Sequence, residues 1–529
     1  MTKQRITLFD TTLRDGAQTP GVDFSIDDKI AISAMLDEFG LDYIEGGYPG
    51  ANPTDTEFFN ETRTSNATFT AFGMTKRAGV SASNDPGLAA LLASKASAIC
   101  FVAKSWDLHV RVALGCSNEE NIANIRESVE AAIAAGKEAL VDCEHFFDGY
   151  KANPEYALEC AKTAIDAGAK WVVLCDTNGG SQPAEIREIV SVLCQHIPGA
   201  SVGIHAHNDT DQAVANSLAA VEAGARQIQG TINGIGERCG NANLVSIIPT
   251  LALKPHFAEQ FEIGISEEKL AGLTRLSRTF DELLNRAPHS QAPYAGSSAF
   301  ATKAGIHASA LIKDPTTYEH VKPEAVGNQR NLMVSDQGGK SNFLDQLSRR
   351  GIEVEKTDPK LDTLIALVKE REAAGYAYEA AEASFELLAR RTLGSVPTFF
   401  SIESFRVGVE RRFNAIGEVV TVSEAVVKLD VDGERLMSVA EGAGPINALD
   451  RALRTDLGKY QSQIDGLELV DYKVRILNGG TEAVTRVLIE STDETGERWW
   501  TVGVSDNIID ASFQALADSL NYKLLSSGS

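Results

Sequence analysis

Eight short apolar runs, at residues 6–13, 43–48, 68–74, 98–103, 139–145, 171–176, 201–207 and 227–232, constrain this chain more than any other feature. Between them lie longer segments such as DDKIAISAMLDEFGL and NEENIANIRESVEAAIAAG, whose apolar residues recur at i, i+3, i+4 and i+7 as on one face of a helix. Near-continuous apolar strands, each but the last clearly followed by a helix, predict a parallel α/β domain with both sheet faces covered. Eight such units in about 250 residues predict a (β/α)8 TIM barrel. An open doubly wound sheet is the alternative, but it asks for a GxGxxG turn after the first strand. The chain has DTTLRDGAQ there instead.

The remaining residues follow other patterns. With 529 residues the chain is too long for one core. Residues 255–395 read as mainly helical and polar, ending in LDTLIALVKEREAAGYAYEAAEASFELLARR, with a loop-rich stretch HSQAPYAGSSAFATKAGIHASALIKDPTTY inside them. From 396 the pattern changes to short alternating strands: VVTVSEAVVKL, RLMSVAEG, DYKVRIL, AVTRVLIES and WWTVGVS. A repeat lies here: Ile446-Asn447-Ala448 with Ala452-Leu453 recurs as Ile509-Asp510-Ala511 with Ala515-Leu516. Each copy follows a strand and opens a helix, which predicts a duplicated α+β domain of two ββ(β)α halves. Such a domain either senses a small ligand where its halves or subunits meet or only joins subunits. The expected domains are 1–260, a catalytic barrel; 261–395, helical linker subdomains; and 396–529, a C-terminal regulatory domain.

Charge narrows the partners. Formal net charge is −24, from 49 basic and 73 acidic residues. That argues against nucleic acid or an anionic membrane, both of which attract basic surfaces. An anionic small substrate then needs a local positive source, such as an arginine or a metal ion. No run approaches the roughly 20 apolar residues of a membrane span, and MTKQRITLFD has no signal-peptide core. Seven scattered cysteines without a CxxC pair fit reduced core thiols in a cytoplasmic protein.

In a parallel barrel the chemistry sits at the C-terminal strand ends. There the sequence places Asp10, Arg14 and Asp15; Glu45; Glu144 and His145; Asp176, Thr177 and Asn178; His205, His207, Asn208 and Asp209; and Asn233, Glu237 and Asn241. His205 and His207, two apart on a strand, share a face. An HxH pair alone is more often hydrogen-bonded than metal-binding. A carboxylate such as Asp15 and an amide oxygen such as that of Asn241 would complete a divalent-ion site with positions left for a keto acid. Glu144 shares a face with Asp142 and Leu140, and reads either as an ion-pair partner of Arg14 or as an acid/base group. Arg14 would hold an oxyanion beside the cation, and Thr177 would donate a hydroxyl to a carboxylate or merely turn the chain. GIGERCG reads as a tight turn permitting close backbone approach rather than a nucleotide loop.

DTTLRDGAQ (10–18), HAHNDTDQAVANSLAAVEAGA (205–225) and NGIGERCGNA (233–242) together resemble the metal-dependent barrel family of acyl-CoA condensing and cleaving enzymes. Its members include 2-isopropylmalate, homocitrate and citramalate synthases, hydroxymethylglutaryl-CoA lyase and ketoacid aldolases. AFATKAGIHASALIKDPTTYEHVKPEAVGN (299–328) is similar to the linker of the synthases, and 396–529 to their regulatory domain. AKSWDLHV, EHFFDGYKANPEYA and EREAAGYAYEAAEASFELL look most like the long-chain members that use pyruvate. Members that take 2-oxoisovalerate typically carry an STS-x-x-H motif at the fourth strand.

The resemblance implies Asp15, His205, His207 and Asn241 as ligands of a divalent metal (Mg2+ or Mn2+, with Zn2+ as an option). It makes Arg14 the group that polarises the keto oxygen, Thr177 a contact to the substrate carboxylate and Glu144 an acid/base group. His307 and Tyr318 match linker residues that reach a neighbouring subunit's active site; alone, His307 reads as a helix-cap or core histidine. The implied reaction is a condensation of acetyl-CoA with a keto acid in a homodimer, regulated by isoleucine or leucine at the C-terminal domain. Without catalysis, the same chain would be an amino-acid-sensing assembly protein.

Overall fold

The first 250 residues close into a barrel because every strand end can turn into a helix that covers the strand's outer face. The computed structural model describes residues 3–198, 201–284, 286–302, 305–332, 340–394, 396, 398–413, 415–464, 466–477 and 483–527. Eight parallel strands, β1 Thr7–Asp10, β2 Tyr43–Glu45, β3 Thr68–Met74, β4 Ala98–Lys104, β5 Glu138–Glu144, β6 Trp171–Asp176, β7 Val202–Ala206 and β8 Gln227–Gly230, form one closed sheet in sequence order. The (β/α)8 expectation holds. Helices α1 Ile26–Phe39, α2 Pro53–Phe58, α3 Pro86–Ala93, α4 Asn118–Ala134, α5 Pro154–Asp166, α6 Pro183–His196, α7 Ala213–Ala223 and α8 Leu244–Leu253 follow the successive strands.

Local chemistry sets the boundaries. Ser25 accepts a hydrogen bond from the Asp28 amide while the Asp28 carboxylate accepts from the Ser25 amide, a reciprocal cap that starts α1; Gly40, at φ 103°, ends it. β1 stops at Asp10, three residues short of the apolar run. The Asp10 carboxylate there accepts from the Thr12 amide (2.9 Å) and hydroxyl (2.7 Å), and the amides of Arg14, Asp15 and Gly16 all turn back to the Thr11 carbonyl. Burial pushes the Asp10 carboxyl up to about 7, against the pull of those bonds.

Alternation sorts the barrel's side chains into two cores. Outward residues such as Leu8, Ile44, Phe69, Ile99, Val141 and Ile204 pack under the helices. Inside, Phe9, Tyr43, Ala98, Cys100, Leu140, Trp171 and Val173 make an apolar layer. Glu45, Asp142, His205 and Gln229, all buried, continue the same strands toward their C-terminal ends. The apolar layer seals the barrel floor; the polar one is the floor of the site.

By contacts the chain divides into two units: Met1–Phe300 with His320–Arg330, and Ala301–Glu319 with Asn331–Ser529. In the second, two antiparallel sheets each carry one helix. The first is β9 Ser401–Phe413, β10 Val419–Val431 and β11 Glu434–Gly442 with helix Pro445–Thr455. The second is β12 Glu468–Ile476, β13 Thr485–Thr492 and β14 Arg498–Ser505 with helix Ile508–Ser526. The predicted duplication is thus a βββα unit used twice. The stretch read as loop-rich contains a helix, Gly305–Lys313. Cysteines 100, 143, 160 and 175 are buried, 116 and 194 half-buried and 239 exposed, none of them in a disulfide. Among the described residues no helix is long and apolar enough to cross a membrane.

Candidate active site

The segment after β1 delivers Arg14 and Asp15 into the mouth of the barrel. Asp15 Oδ2 lies 2.9 Å from Arg14 Nη1 and 3.5 Å from His205 Nε2, and Asp15 Oδ1 accepts from Asn241 Nδ2 at 3.0 Å. Burial alone would raise this carboxyl, but the Arg14 charge and the His205 bond hold it well below the usual range. The His205 and His207 rings have centroids 5.1 Å apart. One ligand atom from each of Asp15, His205 and His207 can be chosen so that all lie within 4.8 Å of one another.

Three buried polar atoms at the site have no hydrogen-bond partner: Glu45 Oε1 and, among the ligand-type residues, His207 Nδ1 and Asn241 Oδ1. Such atoms are costly unless something else satisfies them. Burial, then the neighbouring His205, push His207 down to about 4, so its imidazole is neutral. His205 moves the other way: burial lowers it, but the hydrogen bond and charge of Asp15 raise it above its ordinary value. Two imidazoles, a carboxylate and an orphaned amide oxygen fit a divalent ion, with nitrogen and oxygen donors of the right kinds.

The glycine-rich loop after β8 brings Asn241 in. A Cβ on Gly236 would lie 2.1 Å from Asn241 Nδ2, and one on Gly240 2.0 Å from the Gly234 carbonyl. Close backbone approach is therefore the reason for those glycines, as the sequence suggested. His207 and Asn241 are also joined as a β-bridge.

Arg14 is held on three sides. Its Nε donates to Glu45 Oε2 at 2.7 Å, its Nη1 to Asp15, and its guanidinium carbon lies 3.9 Å from the Phe72 ring centroid. Burial would lower its pKa, but Glu45 and Asp15 raise it. Glu144 does not pair with Arg14, as one reading of the sequence had it. Its partner is Lys104, opposite it in the neighbouring β4, while Arg14 is taken by Glu45, at the end of β2, which pairs with β1. Thr177 Oγ1 accepts from the His145 amide at 2.8 Å, which leaves its own proton free to donate.

His307 and Tyr318 belong to the second unit. Both are exposed, His307 on helix Gly305–Lys313, with ring centroids 4.3 Å apart. The core reading of His307 is thereby corrected: it is exposed on the helix.

Three site neighbours were missed by sequence reading. Lys104 is hidden in an apolar run. Gln229 fills mid-strand β8 and accepts from His205 Nδ1 at 2.8 Å. Arg238, at φ 55°, clamps Asp209 (2.8 Å) and the Thr177 carbonyl (2.7 Å), tying the β6, β7 and β8 loops together. A lysine ending an inward-facing strand, and glutamines alternating at 227 and 229, were the available signals.

Residues 5–274 match the HMGL-like family, 295–374 the homocitrate synthase post-HMGL domain-like family and 379–524 the LeuA allosteric (dimerisation) domain. Among curated proteins, the chain is 50% identical to an (R)-citramalate synthase of Aquifex aeolicus, over 99% of this chain and 98% of that protein. It is 49% identical to an (R)-citramalate synthase of Streptomyces coelicolor, over 98% and 97%. A 2-isopropylmalate synthase of Solidesulfovibrio magneticus is more distant, 28% identical over 98% and 96%.

Proposed function

The chain belongs to the HMGL-like family and within it to the group of (R)-citramalate synthases, and from that premise we propose that its barrel condenses acetyl-CoA with pyruvate and water to give (R)-citramalate and free CoA, an acyl transfer serving isoleucine biosynthesis. The observation that carries this reading at the site is the buried Asp15–His205–His207 cluster with the orphaned Asn241 Oδ1, set beside the cationic Arg14.

Asp15, His205, His207 and Asn241 would hold the divalent cation, Mg2+ or Mn2+, with Zn2+ the alternative for a site of two nitrogen and two oxygen donors. When bound, the cation supplies Lewis-acid charge to the keto acid's oxygens. Arg14 keeps guanidinium donors beyond those spent on Glu45 and Asp15, and gives them to the keto oxygen as negative charge grows there. Thr177 donates its hydroxyl proton to the substrate carboxylate. Glu144, its carboxylate held by Lys104, serves the proton transfer at the acetyl methyl group. His307 and Tyr318, adjacent in the second unit, are assigned to the same relay as a second subunit's contribution, in keeping with the dimerisation domain at 379–524. The resulting carbanion attacks C2 of pyruvate; water then hydrolyses the thioester, releases CoA and makes the step effectively irreversible. The segment 396–529 binds an amino-acid effector, isoleucine or leucine.

The test is CoA release from acetyl-CoA with pyruvate, 2-oxobutyrate, 2-oxoisovalerate or 2-oxoglutarate, with Mg2+ or Mn2+ and again with EDTA. Fastest turnover with pyruvate, abolished by EDTA and restored by the metal, is expected. Preference for 2-oxoisovalerate would make the chain a 2-isopropylmalate synthase, and no turnover at all would leave it an amino-acid-sensing assembly protein.

A further inference from the structure

Lys29 is a charge that the mechanism above does not use. It lies on α1, outside the barrel, with 4% of its surface exposed. An ammonium has three donors, and all three are spent. Nζ donates to the Leu13 carbonyl at 3.1 Å, to the Gly46 carbonyl at 2.8 Å and to the Asp55 carboxylate. The two carbonyls are not arbitrary. Leu13 immediately precedes Arg14, and Gly46 immediately follows Glu45, so the ammonium joins the two strand-end segments whose side chains make the Arg14–Glu45 ion pair.

The surroundings are shaped for this contact. Asp55 is itself buried and held by the Tyr48 amide (2.9 Å) and Asn52 Nδ2 (3.0 Å). A Cβ on Gly46 would lie 2.7 Å from the Phe58 ring, and one on Gly47, at φ 139°, 2.6 Å from the Asp55 carboxylate. Gly46 and Gly47 therefore leave the space that a Cβ would fill, and the Gly46 carbonyl reaches the ammonium. A buried charge paired on one side and hydrogen-bonded on two is expensive to assemble and unnecessary for packing alone. A methionine would fill the same volume.

We propose that Lys29 is a positioning residue for substrate polarisation: by tying the Leu13 and Gly46 carbonyls together it fixes the spacing of Arg14 and Glu45, and thus where the guanidinium meets the keto acid. It touches no reacting atom. This inference rests on the pyruvate-condensation reading and adds to it a residue outside the barrel mouth.

The experiment uses the full-length protein, metal-stripped for the Mn2+ titration and Mn2+-loaded for the rest. Lys29→Met and Asp55→Asn are compared with wild type by titration calorimetry of Mn2+, by calorimetry of pyruvate binding without acetyl-CoA, and by steady-state kinetics per Mn2+-loaded subunit. Displacing a polarising group by a fraction of an ångström is felt strongly, so Lys29→Met should weaken pyruvate binding and lower kcat by about tenfold or more each. Mn2+ affinity should fall by less than pyruvate affinity, since Lys29 contacts none of Asp15, His205, His207 and Asn241 and reaches Asp15 only through Arg14. Asp55→Asn keeps Lys29, one acceptor oxygen and the local volume, which makes it the milder variant, and should shift pyruvate binding and kcat in the same direction by about threefold. A structural role alone would lower the melting temperature and leave the pyruvate Kd and kcat per loaded subunit unchanged in both variants; that result overturns the proposal. Wild type that binds and turns over no pyruvate overturns both it and the reading it rests on.

Discussion

Asp15, His205 and Asn241 are each oriented by hydrogen bonds to neighbouring groups, and His205 has the longest such chain. Asp142 Oδ1 accepts hydrogen bonds from Gln229 Nε2 (3.0 Å) and the Cys100 thiol (3.1 Å). That fixes the Gln229 amide with its oxygen toward His205, which in turn puts a proton on His205 Nδ1 and leaves Nε2 facing Asp15. Partners behind a ligand are worth about 10–100-fold in metal affinity. Gln229→Leu should therefore weaken Mn2+ binding by about that factor in calorimetry, with the barrel still folded by circular dichroism. Undiminished affinity would mean that His205 is oriented by something else. At this scale Asp15, His205, His207 and Asn241 were legible because residue type and strand-end position coincide. Lys104, Gln229 and Lys29 were not, because their roles depend on which backbone or side chain lies opposite, and that is set by register between strands far apart in sequence.

Among the elements, the barrel strands were the easiest to read, and β9 the hardest. Its alternation breaks phase: a register shift between Ile402 and Ser404 puts Ile402 on one parity and Phe405 and Val407 on the other. Most of its residues are also exposed, which removes the hydrophobic signal. The second half repeats the device, with a shift between Leu469 and Asp471 in β12. The βββα halves also explain a charge cluster far from the barrel. Lys523, buried on helix Ile508–Ser526, donates to Asp493 (2.8 Å) and Glu494 (3.1 Å) in the β13–β14 turn. Bonds from Lys523 and Thr495 hold the Asp493 carboxyl down at about 2. A carboxyl lowered on folding contributes stability that is complete above its unfolded value near 4 and is lost as pH falls through about 2. Asp493→Asn should cost about 1–2 kcal/mol at neutral pH, a deficit that shrinks toward pH 2, read by denaturant unfolding across that range. A deficit independent of pH would assign the loss to packing instead.

Across the whole molecule, the helices of 340–394 pack with the C-terminal sheets rather than standing apart from them. Phe343, Leu361, Tyr378, Phe385 and Leu388 share a core with Val502, and Ser384 and Glu382 accept hydrogen bonds from the Val502 and Trp500 amides at 3.0 Å. A cut after residue 395 would bare that core, so regulation is better tested on the intact chain. Isoleucine or leucine should slow CoA release saturably and raise the melting temperature, with a coupling of about 1–3 kcal/mol, a typical size for an allosteric effector. If neither amino acid moves either quantity, 396–529 is an assembly domain. Periodicity made the eight-stranded barrel legible and the Ile446/Ile509 repeat the duplicated C-terminal unit, because burying one face of a strand or helix leaves its period in the residue order. Metal-ligand types at strand ends marked the site for the same reason: a parallel barrel gathers those ends at one mouth. The opening stretch DTTLRDGAQ showed which charges must be offset but not by what. That Glu45 rather than Glu144 takes Arg14, that Gln229 orients His205 and that Lys29 spans Leu13 and Gly46 came only with the fold, since hydrogen-bond partners are chosen by distances of a few tenths of an ångström that no linear spacing encodes.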